Sequence, residues 1–276
     1  MVNFYDVSRF ADFRSLKSLF NDLSGKFDNE LVSDIRRDAA LMLVIERHLV
    51  SILNKLQLLK EYSAFQFPAN VRYLRTSKNV SAAHEYDTHN IHVDAWSGAP
   101  SDSANFMLYL NLQGAEPPYV QFYEFLVPSD EILVFRGPYQ EAIKRFPVKK
   151  LAQPAPFDGQ LVHFDNFAPH QTVSSSVNSG WRLSLDVRVR TGNPYQINGA
   201  FIDQERFTYY LPGNPGLGYY WSISLPYSFS SVDEKVSNEL AIASSFHSSA
   251  YKLRKSYLDF VRSDGDWNIK KMRSNL

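Results

Sequence analysis

Arg182-Leu-Ser-Leu-Asp-Val-Arg-Val189 alternates without a break: Arg182, Ser184, Asp186 and Arg188 fall on one side of an extended chain, and Leu183, Leu185, Val187 and Val189 on the other. A period of two marks a strand, because a helix would scatter these apolar residues around its axis. The polar face of such a strand lines a cavity or meets solvent. Outward from it, residues 71–75, 106–112, 120–125, 132–135 and 161–164 are also short runs rich in β-branched and aromatic side chains, separated by glycine, proline, asparagine and serine. Short strands with no helices between them predict an antiparallel sandwich or barrel, and a jelly roll fits best.

The flanks read differently. Phe10, Phe13, Leu16, Leu19, Phe20 and Leu23 recur at three- and four-residue steps, predicting an amphipathic helix. Residues 28–62 contain neither glycine nor proline, and Leu31, Ile35, Leu43, Leu49, Ile52, Leu56 and Leu59 predict further helix, interrupted once. Residues 192–229 are dense in tyrosine, proline and glycine and read as ordered loop. Ser231 with Glu234 resembles a capping box, and Val236, Leu240, Ala243, Phe246, Tyr251, Leu258 and Val261 continue a helical pattern to residue 264. The expected fold is mainly β with α flanks: a double-stranded β-helix (jelly roll, cupin-like) core covered by N- and C-terminal helices. It forms one domain, 1–276, with a helical cover over about 1–65, the core over 66–192, and the aromatic loop and C-terminal helices over 193–276.

Composition excludes several classes. Lysine plus arginine (29) equals aspartate plus glutamate (29), so no net field favours nucleic acid or an anionic membrane. The chain has no cysteine, which removes disulfides, thiolate metal sites and a cysteine nucleophile. No Gly-x-Ser-x-Gly elbow is present, and Gly213-x-x-Gly-x-Gly218 is interrupted by proline and follows no clear strand. No apolar stretch approaches the roughly 20 residues of a membrane span, and the N-terminus lacks a basic region followed by an apolar run. The expected setting is cytoplasmic, with a small molecule as partner and the oligomeric state open.

What remains is a metal pattern. Of seven histidines, His84, His89 and His92 lie within residues 83–96, and His92 is two residues before Asp94. In an extended strand that spacing aims an imidazole and a carboxylate at one point. His170 follows the strand-like run 159–165, 78 positions after His92, and Arg182 comes 12 positions later. Two histidines and a carboxylate, with other positions open, suit non-haem Fe(II) and O2 chemistry. Arginine suits a buried carboxylate partner because its planar fork donates two parallel charge-assisted bonds, and Ser184 adds a third donor. His163-Phe-Asp165 is a second His-x-Asp and is read as packing behind the site, while His84 and His89 receive no role. Trp96, residues 98–103, Tyr109, Asn111, Gln171 and the aromatics of 209–221 are candidates to line a pocket.

His92-x-Asp94, the distal His170 and Arg182-x-Ser184 resemble the Fe(II)/2-oxoglutarate-dependent oxygenases, over about residues 71–190. Within that superfamily, His92-Val-Asp-Ala-Trp-Ser-Gly-Ala-Pro100, Asn105-Phe-Met-Leu-Tyr-Leu110 and the run 182–189 are similar to phytanoyl-CoA-dioxygenase-type hydroxylases, among them those of aminoglycoside and other natural-product pathways. The resemblance implies one oxygenase domain in which His92, Asp94 and His170 ligate Fe(II). It also implies that Arg182, helped by Ser184, binds the distal carboxylate of 2-oxoglutarate, with Arg188 the competing anchor. The reaction implied is hydroxylation of a small polar metabolite, sugar-like or a natural-product intermediate, consuming O2 and 2-oxoglutarate and releasing succinate and CO2. Trp96, Tyr109 and Asn111 would contact the substrate. A carboxylate at 94, where related halogenases carry a small residue, implies hydroxylation, desaturation or epimerisation instead of halogenation. Two other readings use the same residues: a cupin-like metalloenzyme without 2-oxoglutarate, such as an isomerase or another dioxygenase, and a non-catalytic small-molecule binding module.

Overall fold

In the computed structural model the described residues are 1–23, 29–62, 64–67, 69–76, 88–97, 103–127, 129–135, 137–174, 180–191, 219–224 and 228–230. In chain order they form β1 (Val2–Asp6), α1 (Ala11–Leu23), α2 (Asn29–Arg37), α3 (Ala39–Lys55), β2 (Ala64–Phe67) and β3 (Asn70–Arg75). A short 3-10 turn (Asp94–Ser97) leads to β4 (Ser103–Gly114), β5 (Tyr119–Phe125), α4 (Glu131–Val134), α5 (Tyr139–Arg145) and β6 (Val148–Lys150). Then come β7 (Gln160–Asp165), β8 (His170–Val173), β9 (Gly180–Arg190), β10 (Tyr219–Ser224) and β11 (Ser228–Ser230). The chain divides into two compact units, one of Met1–Asp6 and Arg72–Ser184, the other of Val7–Val71 and Leu185–Leu276.

The first unit holds two antiparallel sheets. In one, β1 pairs β7 (Val2↔Phe164 to Asp6↔Gln160), β7 pairs β4 (Ala104↔Asp165 to Leu108↔Leu161), and β9 lies beyond β4 with β3 also paired to it. In the other, β5 is flanked by β6 and β8, with Phe122 opposite His170. Met107 and Tyr109 of β4, Val162 and Phe164 of β7, and Val120 and Phe122 of β5 share one apolar cluster, so side chains of both sheets meet in it. A second cluster gathers Val93, Ala95 and Trp96 with Ile132, Tyr139, Ala142 and Phe146. Each large side chain so buried contributes roughly 1.5–3 kcal/mol.

In the second unit the helices follow the sequence closely. Phe13, Leu16 and Phe20 of α1 are buried, as their spacing requires. The single interruption falls at Asp38, whose carboxylate accepts from Leu41 N at 3.0 Å and caps α3. The helix ends with Gln57 at φ 59, where Gln57 N bonds Asn54 O (2.8 Å) and Leu58 N bonds Leu53 O (2.9 Å), the paired closure that more often uses glycine. Asp12 ties α1 to α3 through His48 Nδ1 (3.0 Å), Ser51 Oγ (2.9 Å) and Lys55. Also in this unit, β2 pairs the end of β9 (Ala64↔Arg190, Phe65↔Val189), and β10 pairs both β2 and β11.

Four expectations change, the first being the loop over 192–229, in which Tyr219–Ser224 form β10 and Ser228 begins β11. Residues 132–135 are not a strand: Glu131 to Val134 are helical, begun by Ser129, whose carbonyl accepts from Ile132 N (3.1 Å) and whose hydroxyl accepts from Glu131 N (3.2 Å). Four apolar residues fit either structure, and the serine-aspartate start favours the helix. The N-terminal region opens on strand β1 before its helices, and α5 was not anticipated. The helices expected over 231–264 lie outside the described residues. No helix among the described residues is long and apolar enough to cross a membrane.

Glu46 of α3 is fully buried; it accepts from Ala69 N through Oε1, while Oε2 has no hydrogen-bond partner among the described residues. Burial pushes its carboxyl up to about 8 from 4.5, opposed by the Ala69 bond. The folded chain therefore keeps a proton that the unfolded chain loses. Its contribution to stability is full below pH 4.5 and falls as pH rises towards 8, by at most about 1.4 kcal/mol per pH unit. Urea unfolding of Glu46→Gln between pH 5 and 8 should show this slope removed; an unchanged slope would refute a protonated Glu46.

Candidate metal centre

His92 and His170 form an isolated antiparallel bridge, with His92 N bonding His170 O at 2.9 Å and His170 N bonding His92 O at 2.8 Å. Directly opposed residues project side chains to the same side, so the imidazoles lie together, with centroids 4.4 Å apart. Asp94 arrives by another route. Residues 92–94 are not a continuous strand, as the sequence spacing had suggested: the chain leaves the bridge and turns into the 3-10 segment at Asp94, with Ala95 N bonding Asn166 O (3.1 Å) and Trp96 N bonding Val93 O (3.0 Å). The turn sets Asp94 Oδ1 3.9 Å from His170 Nε2. One ligand atom from each of His92, Asp94 and His170 falls within 4.8 Å of the other two.

The donor chemistry fits a divalent ion. His92 Nδ1 lies 2.9 Å from Asn90 O, and His170 Nδ1 lies 3.0 Å from Ala168 O. Only a protonated nitrogen bonds a carbonyl, so each ring carries a hydrogen on Nδ1, which in a neutral ring leaves the lone pair on Nε2. Histidine metal ligands are oriented in this way. His92 is 3% exposed. Burial holds its pKa down to about 3, with nearby His170 adding to the effect and Asp94 opposing it, so the ring is neutral and its lone pair available at neutral pH. Asp94 Oδ2 accepts from Asn105 Nδ2 at 2.7 Å, which leaves Oδ1 as the oxygen nearest His170.

Packing holds the rings. Tyr139 stacks on His92 (4.9 Å, 13°), and Phe164 and Phe122 meet His170 at 5.1 and 5.8 Å. Arg182 belongs to the same unit, is 2% exposed and lies with its guanidinium 5.6 Å from the Tyr109 ring centre; Ser184 is fully buried, and its hydroxyl has no hydrogen-bond partner among the described residues. Asp186 and Arg188, half-buried, fall in the second unit.

Several other expected residues take packing positions. Trp96 sits inside its apolar cluster and donates Nε1–H to Ile132 O at 2.9 Å. The Tyr109 hydroxyl accepts from Val120 N at 3.0 Å, and Asn111 Oδ1 accepts from Gln113 at 2.8 Å. His163 stacks on Phe106 (4.5 Å), and Asp165 accepts from Phe167 N and the N-terminal amine, so this second His-x-Asp is not in the cluster. Gln171 pairs with Gln121, and His89 is half-buried. His84, residues 98–102 and residues 209–218 lie outside the described residues, and no side chain is described for 219–221. Sequence reading missed Tyr139, Asn105 and Asn166; the signal for Asn105 was an amide inside an apolar strand run.

No protein family and no curated protein matches the chain. Among solved structures it is similar to the non-haem α-ketoglutarate-dependent epimerase SnoN of nogalamycin biosynthesis (15% identity, 77% of this chain and 85% of that one, TM-score 0.36). It is also similar to an N-substituted L-amino acid dioxygenase in complex with α-ketoglutarate from Burkholderia ambifaria (14%, 68% and 81%, 0.34) and to the non-haem monooxygenase ThoJ in its nickel complex (13%, 68% and 76%, 0.35).

A cation that binds only the folded chain stabilises it by mass action, about 2.7 kcal/mol at a hundred times Kd. Calorimetry with Co(II) or Ni(II) should raise the melting temperature, and EDTA should reverse the rise. In His92→Ala, Asp94→Ala and His170→Ala the rise should be lost; its persistence in all three would exclude this site.

Proposed function

We propose that this chain is a non-haem Fe(II)- and 2-oxoglutarate-dependent dioxygenase acting on a small polar metabolite, sugar-like or a natural-product intermediate. The observation that carries the proposal is the set of buried His92 and His170 with half-buried Asp94, both Nδ1–H groups being spent on backbone carbonyls. Two neutral imidazoles and one carboxylate are the donors of the facial arrangement that leaves positions open for a co-substrate and O2. On this reading the two sheets of the first unit are the core of a double-stranded β-helix. The chain passes between its two units within or beside strands, so we assign one oxygenase domain.

Iron(II) held here supplies O2 activation coupled to oxidative decarboxylation: substrate C–H, 2-oxoglutarate and O2 give substrate C–OH, succinate and CO2. The chain's own residues orient and exclude. His92, Asp94 and His170 hold the ion. Arg182 binds the distal carboxylate of 2-oxoglutarate, and Ser184, whose buried hydroxyl needs a partner, adds a bond; Arg188 is the competing anchor. Charge supports this assignment: a divalent ion on one carboxylate leaves a net positive site, and with buried Arg182 in the same unit a dianion is the matching ligand. Tyr139, Phe122 and Phe164 pack about the imidazoles and keep water from their edges. Tyr109 and Trp96, buried and with their polar atoms spent, act on substrate through the groups they support, whereas half-buried Asn111 is placed for contact.

Fe(II) added without O2 should give a weak visible charge-transfer band only when 2-oxoglutarate is present, and admission of O2 should release succinate. Arg182→Gln should weaken 2-oxoglutarate binding roughly 10–100-fold, the equivalent of about 1.5–3 kcal/mol for a charged bond, with metal binding retained. If Arg188→Gln does this and Arg182→Gln does not, the anchor is Arg188. If neither band nor succinate appears, the proposal fails.

A further inference from the structure

The carboxylate of Asp94 is the end of a chain of buried side chains. Asn105 Nδ2, at the start of β4, lies 2.7 Å from Asp94 Oδ2 and 3.1 Å from Asn166 Oδ1, and Asn166 Nδ2 bonds Ser103 Oγ. Asn105, Asn166 and Ser103 are 5%, 1% and 4% exposed. The direction of this chain is fixed by chemistry. An ionised carboxylate only accepts, so the Asn105 atom facing it must be nitrogen. That nitrogen then donates to Asn166 as well, which sets the Asn166 oxygen towards Asn105 and its nitrogen towards Ser103. Asn166 is tied to the turn at a second point, because its carbonyl accepts from Ala95 N, the residue after Asp94, at 3.1 Å.

We propose that Asn105 is a positioning residue that makes Asp94 a one-oxygen ligand, with Asn166 locking its amide. Resting on the metal-centre reading above, this assigns the two carboxylate oxygens different work. Oδ2 is held by the Asn105 amide, and Oδ1, 3.9 Å from His170 Nε2, is presented to the ion. Without the amide, Asp94 could rotate and offer both oxygens, occupying a position that a co-substrate needs.

The test uses Co(II), bound by the full chain without O2 or 2-oxoglutarate, read by calorimetric titration and by the visible absorption of the ion. Asn105→Leu keeps the volume and removes the donor; it should weaken Co(II) binding about 10–100-fold, the usual effect of losing a partner behind a ligand, and change the band shape. Asn166→Ala should weaken it several-fold, and it stands as the test if Asn105→Leu shows no cooperative melting without metal. Wild-type affinity and spectrum in a folded Asn105→Leu, or in Asn166→Ala where that variant is the test, overturn the inference. His92→Ala separates the two levels: if wild type binds Co(II), His92→Ala does not, and the Asn105 and Asn166 variants bind as wild type does, only the positioning role falls. If wild type and His92→Ala bind Co(II) equally, the metal centre itself falls and this inference with it.

Discussion

Two backbone hydrogen bonds, His92 N to His170 O and His170 N to His92 O, set the geometry on which the rest of the first unit's chemistry depends. They join positions 78 residues apart and fix their register, and because directly opposed residues share a face, fixing the register fixes the imidazoles. A slip of one residue would turn one ring to the opposite side and remove a donor. The bridge is a single pair, yet it sits where support is dense. His170 opens β8, which β5 pairs along its length with Phe122 opposite His170, and Thr172 N bonds Thr88 O (2.8 Å) just before the His92 segment.

The apolar surroundings explain why His92 stays neutral. Burial under the stacked Tyr139 takes water from the His92 ring, and the loss of hydration disfavours its imidazolium form; Phe122 and Phe164 pack against His170. The same rings restrict rotation about the side-chain torsions, so the lone pairs keep their aim. Burying a polar ring costs free energy unless its hydrogen is bonded, and the carbonyls of Asn90 and Ala168 meet that need at Nδ1.

Much of this was legible in the residues, and the exceptions share a cause. The period of two in β9, the helical spacing of α1 and the break between α2 and α3 are local patterns, and each appears where the sequence places it. The donor types at 92, 94 and 170 were legible for the same reason: metal chemistry restricts which side chains serve. The path to Asp94 was not. Extended spacing and a bridge followed by a turn both bring residues 92 and 94 to one side, and the choice is made by Asn166 O capturing Ala95 N from a distant loop. Strand β1 was hidden likewise, since Val2–Asp6 has little alternation and owes its form to β7, more than 150 positions away. For residues 132–135 the local signal was present but ambiguous, and a serine outside the apolar run decided it.

Polar accounting unites the site. A buried polar side chain needs partners for its atoms, and each of the three donors has one atom bonded by the protein: Nδ1 of His92 by Asn90 O, Nδ1 of His170 by Ala168 O, and Oδ2 of Asp94 by Asn105. One ligand atom of each lies within 4.8 Å of the other two. If the cluster were held for stability alone, the cheaper solution would be apolar side chains of similar volume, since replacing buried polar groups in this way is often neutral or better. Retaining three polar groups, and adding the buried amides of Asn105 and Asn166 to hold one of them, makes structural sense when the shared point receives a ligand that repays their desolvation. A divalent cation is the ligand whose charge and preference for nitrogen and oxygen suit two lone pairs and a carboxylate.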